Sequence, residues 1–256
     1  MRTRITLAVT GIVAGFMLLF AQAGGAQAPA LRVLASNGVK EVMESLLPQC
    51  ERAAGRPLAM QYGSSTGLLQ AIAKDNQFDV VILTTEAIDS LIKDGKIAPG
   101  TRADIARAGI GVGVRKGAPK PDIATPDALK RTLLKAKSIT YAQDGASRVY
   151  LEKMFDRLGI GKDLKPKIIL EQGSPGAGTR VANGGAEMVM TLVSEILPMP
   201  GVELVGPLPA QLQNYVSFAA GVSTKADNAE AGKALIKFLT SPAAAPAFKP
   251  KGMEPR

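Results

Sequence analysis

Four short segments concentrate hydroxyl-bearing and small residues: Ser36-Asn37-Gly38, Gly63-Ser64-Ser65-Thr66-Gly67, Gly145-Ala146-Ser147-Arg148 and Ser174-Pro175-Gly176-Ala177-Gly178-Thr179. Small residues let backbone approach a ligand closely, and hydroxyls add donors. If each segment opens a helix, its unpaired backbone N–H groups and the positive end of the helix dipole face the same way. Two or three such turns brought together make a compact pocket of donors for an oxyanion or a carboxylate. The candidate ligand-binding residues are therefore Ser36, Asn37, Ser64, Ser65, Thr66, Ser147, Arg148 and Ser174. Taken singly, a serine before a helix is usually just a cap, and it is the four turns together that point to a ligand. Arg148 and Arg180 have the planar fork that clamps a carboxylate bidentately, and both also read as surface residues. Asp144 is the one acid beside these turns, and an acceptor is what a ligand still carrying a proton requires.

The same residues invite an enzymatic reading. Gly63-Ser64-Ser65-Thr66-Gly67 has the form of a nucleophile elbow with Ser65 at its centre. A serine hydrolase needs a base, and the 256-residue chain contains no His. A serine–lysine pair would have to draw on Lys74, which reads as a solvated side chain. With one Cys and no His, neither a cysteine cluster nor a histidine-ligated zinc site can be assembled. There is no Trp to stack a sugar ring. Gly109, Gly111 and Gly113 imitate a dinucleotide fingerprint, yet they alternate with aliphatics in an extended run and open no helix. The expectation is a chain without catalytic residues, cofactor or metal, and hence not an enzyme.

The elements that must position these turns follow from the periodicity. Leu31–Ala35, Leu58–Tyr62, Val80–Leu83, Ser138–Tyr141, Lys167–Leu170 and Met188–Val193 read as short strands. Helical spacing follows most of them, over 39–54, 67–75, 86–94, 147–158 and up to about Asn183. Repeated strand–turn–helix units predict an α/β fold with mostly parallel sheets. Ligands in such folds sit at the carboxyl ends of the strands, where all four turns lie. Gly109–Val114 and Tyr215–Val222 are extended runs without that alternation. As crossover strands they would lead out of a first lobe and back into it, with a closing helix over 226–240; a single continuous sheet is the alternative. The expected division is a first lobe of residues 29–111 and 218–256 and a second of 112–217.

Residues 1–28 carry Arg2 and Arg4, then an uncharged apolar run from Ile5 to Ala21, then small residues. That is the pattern of a secretory signal peptide cleaved between 23 and 28, and it predicts a periplasmic protein. Its removal takes two positive charges from the formal net charge of +9. The remaining basic residues are dispersed and aromatics are few, so nucleic acid is not an expected partner. Lys130-Arg131, with Lys135 and Lys137, reads as a solvated helix face.

Leu34-Ala35-Ser36, Tyr62-Gly63-Ser64-Ser65-Thr66, Phe78-Asp79-Val80-Val81-Ile82 and Ser241-Pro242-Ala243-Ala244 together resemble the periplasmic solute-binding proteins of ABC transporters. The likeness is to their molybdate-binding branch and covers nearly all of the chain after the signal. It implies a two-lobe type II binding-protein fold, with two crossover strands and hinge closure over a small anion. It also implies a monomer delivering molybdate or tungstate to an inner-membrane permease. Carried over, Ser36 with Ser64 or Ser65 would give donors from the first lobe, and Ser147 with Ser174 or Pro175 would give positions in the second. The family's molybdate binders add a Tyr hydroxyl near the position of Leu192; no Tyr stands there, and Thr191 or Ser194 is the available substitute. A small organic acid, or a sensor subunit on the same scaffold, is the alternative.

Overall fold

The computed structural model describes residues 28–256. The expected export signal lies outside the described residues, apart from its last position, Ala28. In chain order the elements are β1 (Leu31–Ser36), α1 (Lys40–Ala54), β2 (Leu58–Gly63), α2 (Ser65–Ala73), β3 (Val80–Thr84), α3 (Thr85–Lys93) and β4 (Ala103–Arg115). They continue with α4 (Pro126–Lys135), β5 (Ile139–Ala142), α5 (Arg148–Arg157), α6 (Gly161–Leu164), β6 (Ile168–Glu171), α7 (Gly173–Ala182), β7 (Met188–Leu192) and α8 (Val193–Ile196). The last are β8 (Val202–Pro207), β9 (Tyr215–Val222), α9 (Ala229–Leu239) and β10 (Met253–Pro255). No helix among the described residues is long and apolar enough to cross a membrane.

Hydrogen bonding links the strands in the order β2-β1-β3-β9-β4-β7-β5-β6, with β8 and β10 also on β4. The strands whose ends carry the candidate turns pair in parallel: β1 with β2 and β3, and β5 with β6 and β7. β4 and β9 instead run antiparallel to every neighbour, so the sheet is mixed rather than mostly parallel. Antiparallel pairing needs no crossover helix, which suits segments that pass between lobes. β4 belongs to both halves: Ala103–Gly109 pairs with β9, and Ile110–Val114 pairs with β7. Each half is flanked by helices, giving the two-lobe α/β architecture.

The glycine alternation in β4 is a packing device. A Cβ on Gly113 would lie 2.9 Å from both Val189 Cγ1 and Val202 Cγ1 and 3.0 Å from Ile196 Cγ2. A side chain there would hold β7, β8 and α8 away from the strand. All five positions of β3 and of β7 are buried, as strands covered on both faces require. The largest enclosed side chains include Phe218 on β9, Phe155 on α5 and Tyr141 on β5. α4 starts on a Thr125 cap with Pro126 following, and its Arg131 and Lys135 are exposed. Lys130 departs from that solvated face by donating to Leu158 O at 2.8 Å.

Candidate functional site

Five strand ends contribute residues to two cavities: the turns after β1 and β2 from the first half, and those after β5, β6 and β7 from the second. Ser36 is buried, and its Oγ accepts from Gly38 N at 3.3 Å, capping the 3-10 turn that leads into α1. Ser64 caps α2, accepting from Gly67 N at 3.0 Å. Its hydroxyl also donates to Asp144 Oδ2 at 2.5 Å, joining turns 80 residues apart in the chain. The second oxygen, Asp144 Oδ1, accepts from Gly173 N, the first residue of α7, at 3.1 Å. Asp144 is therefore a clasp between the two sides of the cleft and one helix start.

Two cavities are lined by residues of these turns. One, of about 430 Å³, is lined by Asn37, Lys40 and Glu41 from the first lobe and by Ser174, Thr179 and Glu195 from the second. The other, of about 670 Å³, is lined by Thr66, Gln70, Gln143, Asp144, Arg148 and Glu152. The predicted residues are thus divided: Asn37 and Ser174 face the smaller cavity, Thr66 and Arg148 the larger. Ser65 lines neither; it is buried, and its Oγ accepts from Thr84 N at 3.1 Å, tying α2 to the end of β3. Ser147 is buried and makes no side-chain cap on α5. Arg148 is engaged by its own segment, with Nε on Glu152 Oε1 at 2.8 Å and a guanidinium N–H on Gln143 O at 2.8 Å. The hydrogen bond to Glu152 raises its pKa further, so it stays charged. Arg180 is paired with Glu171 and lines neither cavity.

The sequence reading missed Glu195, an acid on the wall of the smaller cavity. It extended the strand at β7 to Val193, whereas the chain turns into α8 there and carries Glu195 to the cleft wall. Thr191 Oγ1 donates to Glu195 Oε2, and Ser174 Oγ lies 3.5 Å from Thr191 Oγ1. Burial pushes the Glu195 carboxyl above the ordinary range, and the charge of Asp144 adds to that. Hydrogen bonds from Thr191 and Ser174 oppose the shift without cancelling it. The available signal was Thr191-Leu192-Val193-Ser194-Glu195, an acid one helical turn beyond a threonine at a strand end. Leu192 is buried, and its Cδ1 would lie 3.2 Å from a Cβ built on Gly38. Lys40, one turn after Ser36, was likewise passed over; it is the cation on the wall of the smaller cavity. Cys50, the one cysteine, is fully buried away from the cleft, and burial pushes its thiol up to about 12.

The two cavities thus offer hydroxyls, helix starts, Lys40 and Arg148 as donors, with the carboxylates of Glu41, Asp144, Glu152 and Glu195 as acceptors. Residues 31–254 match the bacterial extracellular solute-binding protein family. The chain belongs to that family. Among solved structures, its fold matches the Azotobacter vinelandii periplasmic molybdate-binding protein with a TM-score of 0.74 and 18% identity, over 87% of this chain and 98% of that one. L-phospholactate-bound PEB3, a protein of Campylobacter jejuni, matches with a TM-score of 0.67 and 15% identity, over 88% and 99%. These likenesses establish the type II binding-protein fold. In sequence, an aconitate isomerase of Pseudomonas sp. is 34% identical over 231 residues, 88% of this chain and 87% of the relative. A relative of that identity and coverage that is an enzyme overturns the expectation of a chain without enzymatic activity. The missing histidine removes triad chemistry, but it leaves carboxylates free to move protons.

Proposed function

We propose that this protein binds a small polycarboxylate in the cleft and interconverts its isomers, with aconitate as the substrate class. The observation that carries this reading is the pair of acids, Asp144 and Glu195, set among donors at the cleft. A fully deprotonated tetrahedral oxyanion is favoured by donors alone, and carboxylates beside it repel it. An unsaturated tricarboxylate has carbon-bound protons for an acid–base group to move, and carboxylate arms for Lys40 and the helix starts to hold. The kinship to an aconitate isomerase supports the same substrate class.

Binding by closure fits the architecture. The two halves would hinge where β4 passes from β9 to β7 at Gly109–Ile110 and where the chain returns into β9. An export signal over residues 1–28 would place this activity in the periplasm, and membership of a solute-binding family adds delivery of the bound anion to an ABC-type permease.

The test is proton NMR of the purified mature protein with cis-aconitate and, separately, trans-aconitate, alongside thermal shifts with both acids, molybdate and tungstate. Interconversion with a shift for the tricarboxylates is the expected result. A shift confined to molybdate and tungstate, without interconversion, overturns the reading.

A further inference from the structure

We propose that Glu195 is the catalytic residue that carries the proton in this isomerisation. The inference deepens the reading of the cleft as an isomerase site and rests on it. Among the acids at the clasp and the smaller cavity, Asp144 is occupied at both oxygens, by Ser64 Oγ and by Gly173 N. Glu41 also lines the smaller cavity, but its carboxylate is paired with Lys251 Nζ at 3.7 Å. Glu195 lines the 430 Å³ cavity opposite Asn37 and Lys40, held at Oε2 by Thr191 Oγ1. Its place is fixed at the start of the short helix α8, which is packed on β4 through the gap left by Gly113. Burial also makes its carboxylate a stronger base than an exposed one.

Aconitate carries a methylene beside its double bond, so a single group can shift the bond by moving one proton. The Glu195 carboxylate takes a methylene proton; that C–H bond breaks, and its electron pair joins the neighbouring π bond as an allylic carbanion. The new Glu195 O–H then breaks, and the same proton forms a C–H bond at the far end of the allylic unit. The double bond has moved one position, Glu195 is again ionised, and no proton, electron or co-reactant is gained or lost. Return of the proton to a rotated arm gives the other geometric isomer. The charge that builds on the flanking carboxylates during the step lies in the cavity that Lys40, Asn37 and Ser174 line, the Lys40 ammonium being 5.7 Å from the Tyr62 ring centroid.

The experiment compares the wild-type protein with E195Q and E195D, measuring aconitate affinity by calorimetry and turnover by proton NMR in deuterium oxide. E195Q is expected to keep Kd within about threefold and to lose about 10²–10⁴-fold in kcat. Any deuterium that enters the methylene, when the proton held by Glu195 exchanges with solvent before its return, should fall in parallel. E195D, with the carboxylate withdrawn by one methylene, should retain measurable turnover. Charged groups around Glu195 are Asp144 from the clasp and Lys40 and Glu41 from α1; against them, kcat of the wild type should fall as pH drops and the Glu195 carboxylate takes up a proton, above the ordinary carboxylate range. E195Q turning over at the wild-type rate, or a flat acid limb, overturns the role of Glu195 while leaving the isomerase reading intact. Wild-type protein that binds aconitate without turnover or exchange overturns both. Should E195Q fail to fold, E195D at the wild-type rate with an unshifted acid limb overturns the assignment.

Discussion

A carboxyl group that folding pushes toward its neutral form weakens the fold once it ionises. Glu195 is that case: its folded pKa lies above its unfolded one, so its contribution is full below the unfolded pKa and is lost as pH rises through the folded value. Ligand-free E195Q is therefore expected to melt higher than the wild type at neutral pH, and the gap should close in acid; differential scanning calorimetry across pH measures it. Asp79 behaves in the opposite sense. Burial raises its carboxyl, but hydrogen bonds from the Arg32 side chain, Arg32 N and Asp227 N outweigh that and hold it below the usual range. Its stabilisation is present above the unfolded pKa and is lost as pH falls through the folded one. Asp79→Ala should cost about 2–3 kcal/mol in urea unfolding at pH 7, because Arg32 is partly solvated and recovers some hydration. The difference from wild type should shrink at strongly acid pH.

At the scale of elements, the tightest approach with consequences is that of β7, β8 and α8 to β4. Gly113→Ala places a methyl group within 3.0 Å of three buried side chains, so it should cost about 1–3 kcal/mol. It should also weaken aconitate binding, since α8 carries Glu195; calorimetric titration reads the second effect. Much of this framework was legible in the sequence. The strand–turn–helix alternation placed β1 to β3 and β5 to β7 to within one or two residues, and β9 over Tyr215–Val222 as observed. The glycine run in β4 read as an extended crossover, but its length did not, because polar Asp104 and Arg107 mask its first half. α8 was hidden because four residues are too few for a helical period to show. The candidate turns read well as a group. Their division between two cavities, and the engagement of Ser65 and Arg148 elsewhere, depends on contacts of 19 residues' separation for Ser65 and on local pairing for Arg148, neither of which spacing reveals.

At the scale of the molecule, the Ser64–Asp144 hydrogen bond is the link that joins the turn after β2 to the turn after β5. Asp144→Ala removes it together with the bond from Gly173 N, so the ligand-free variant should have a larger radius of gyration by small-angle scattering. Saturating aconitate should return it to the compact form. In the wild type, ligand at about 100 times Kd should stabilise by about 2.7 kcal/mol, a rise in Tm of roughly 5–10 °C for a chain of this length. Equal radii for variant and wild type would show that packing rather than the clasp sets the closed state.

The position of β9 between β3 and β4 has a consequence for the order in which the chain is made. A ribosome has released β3 and β4 long before Tyr215–Val222 exists, and until then each presents an unpaired edge. The first half of the sheet therefore waits on a strand encoded more than a hundred residues downstream, a delay that raises contact order and slows completion. A nascent chain halted after β8 should remain protease-sensitive and prone to association, whereas one extended through α9 should become resistant. On that expectation, the join between β3 and β4 closes only when nearly all of the chain has emerged.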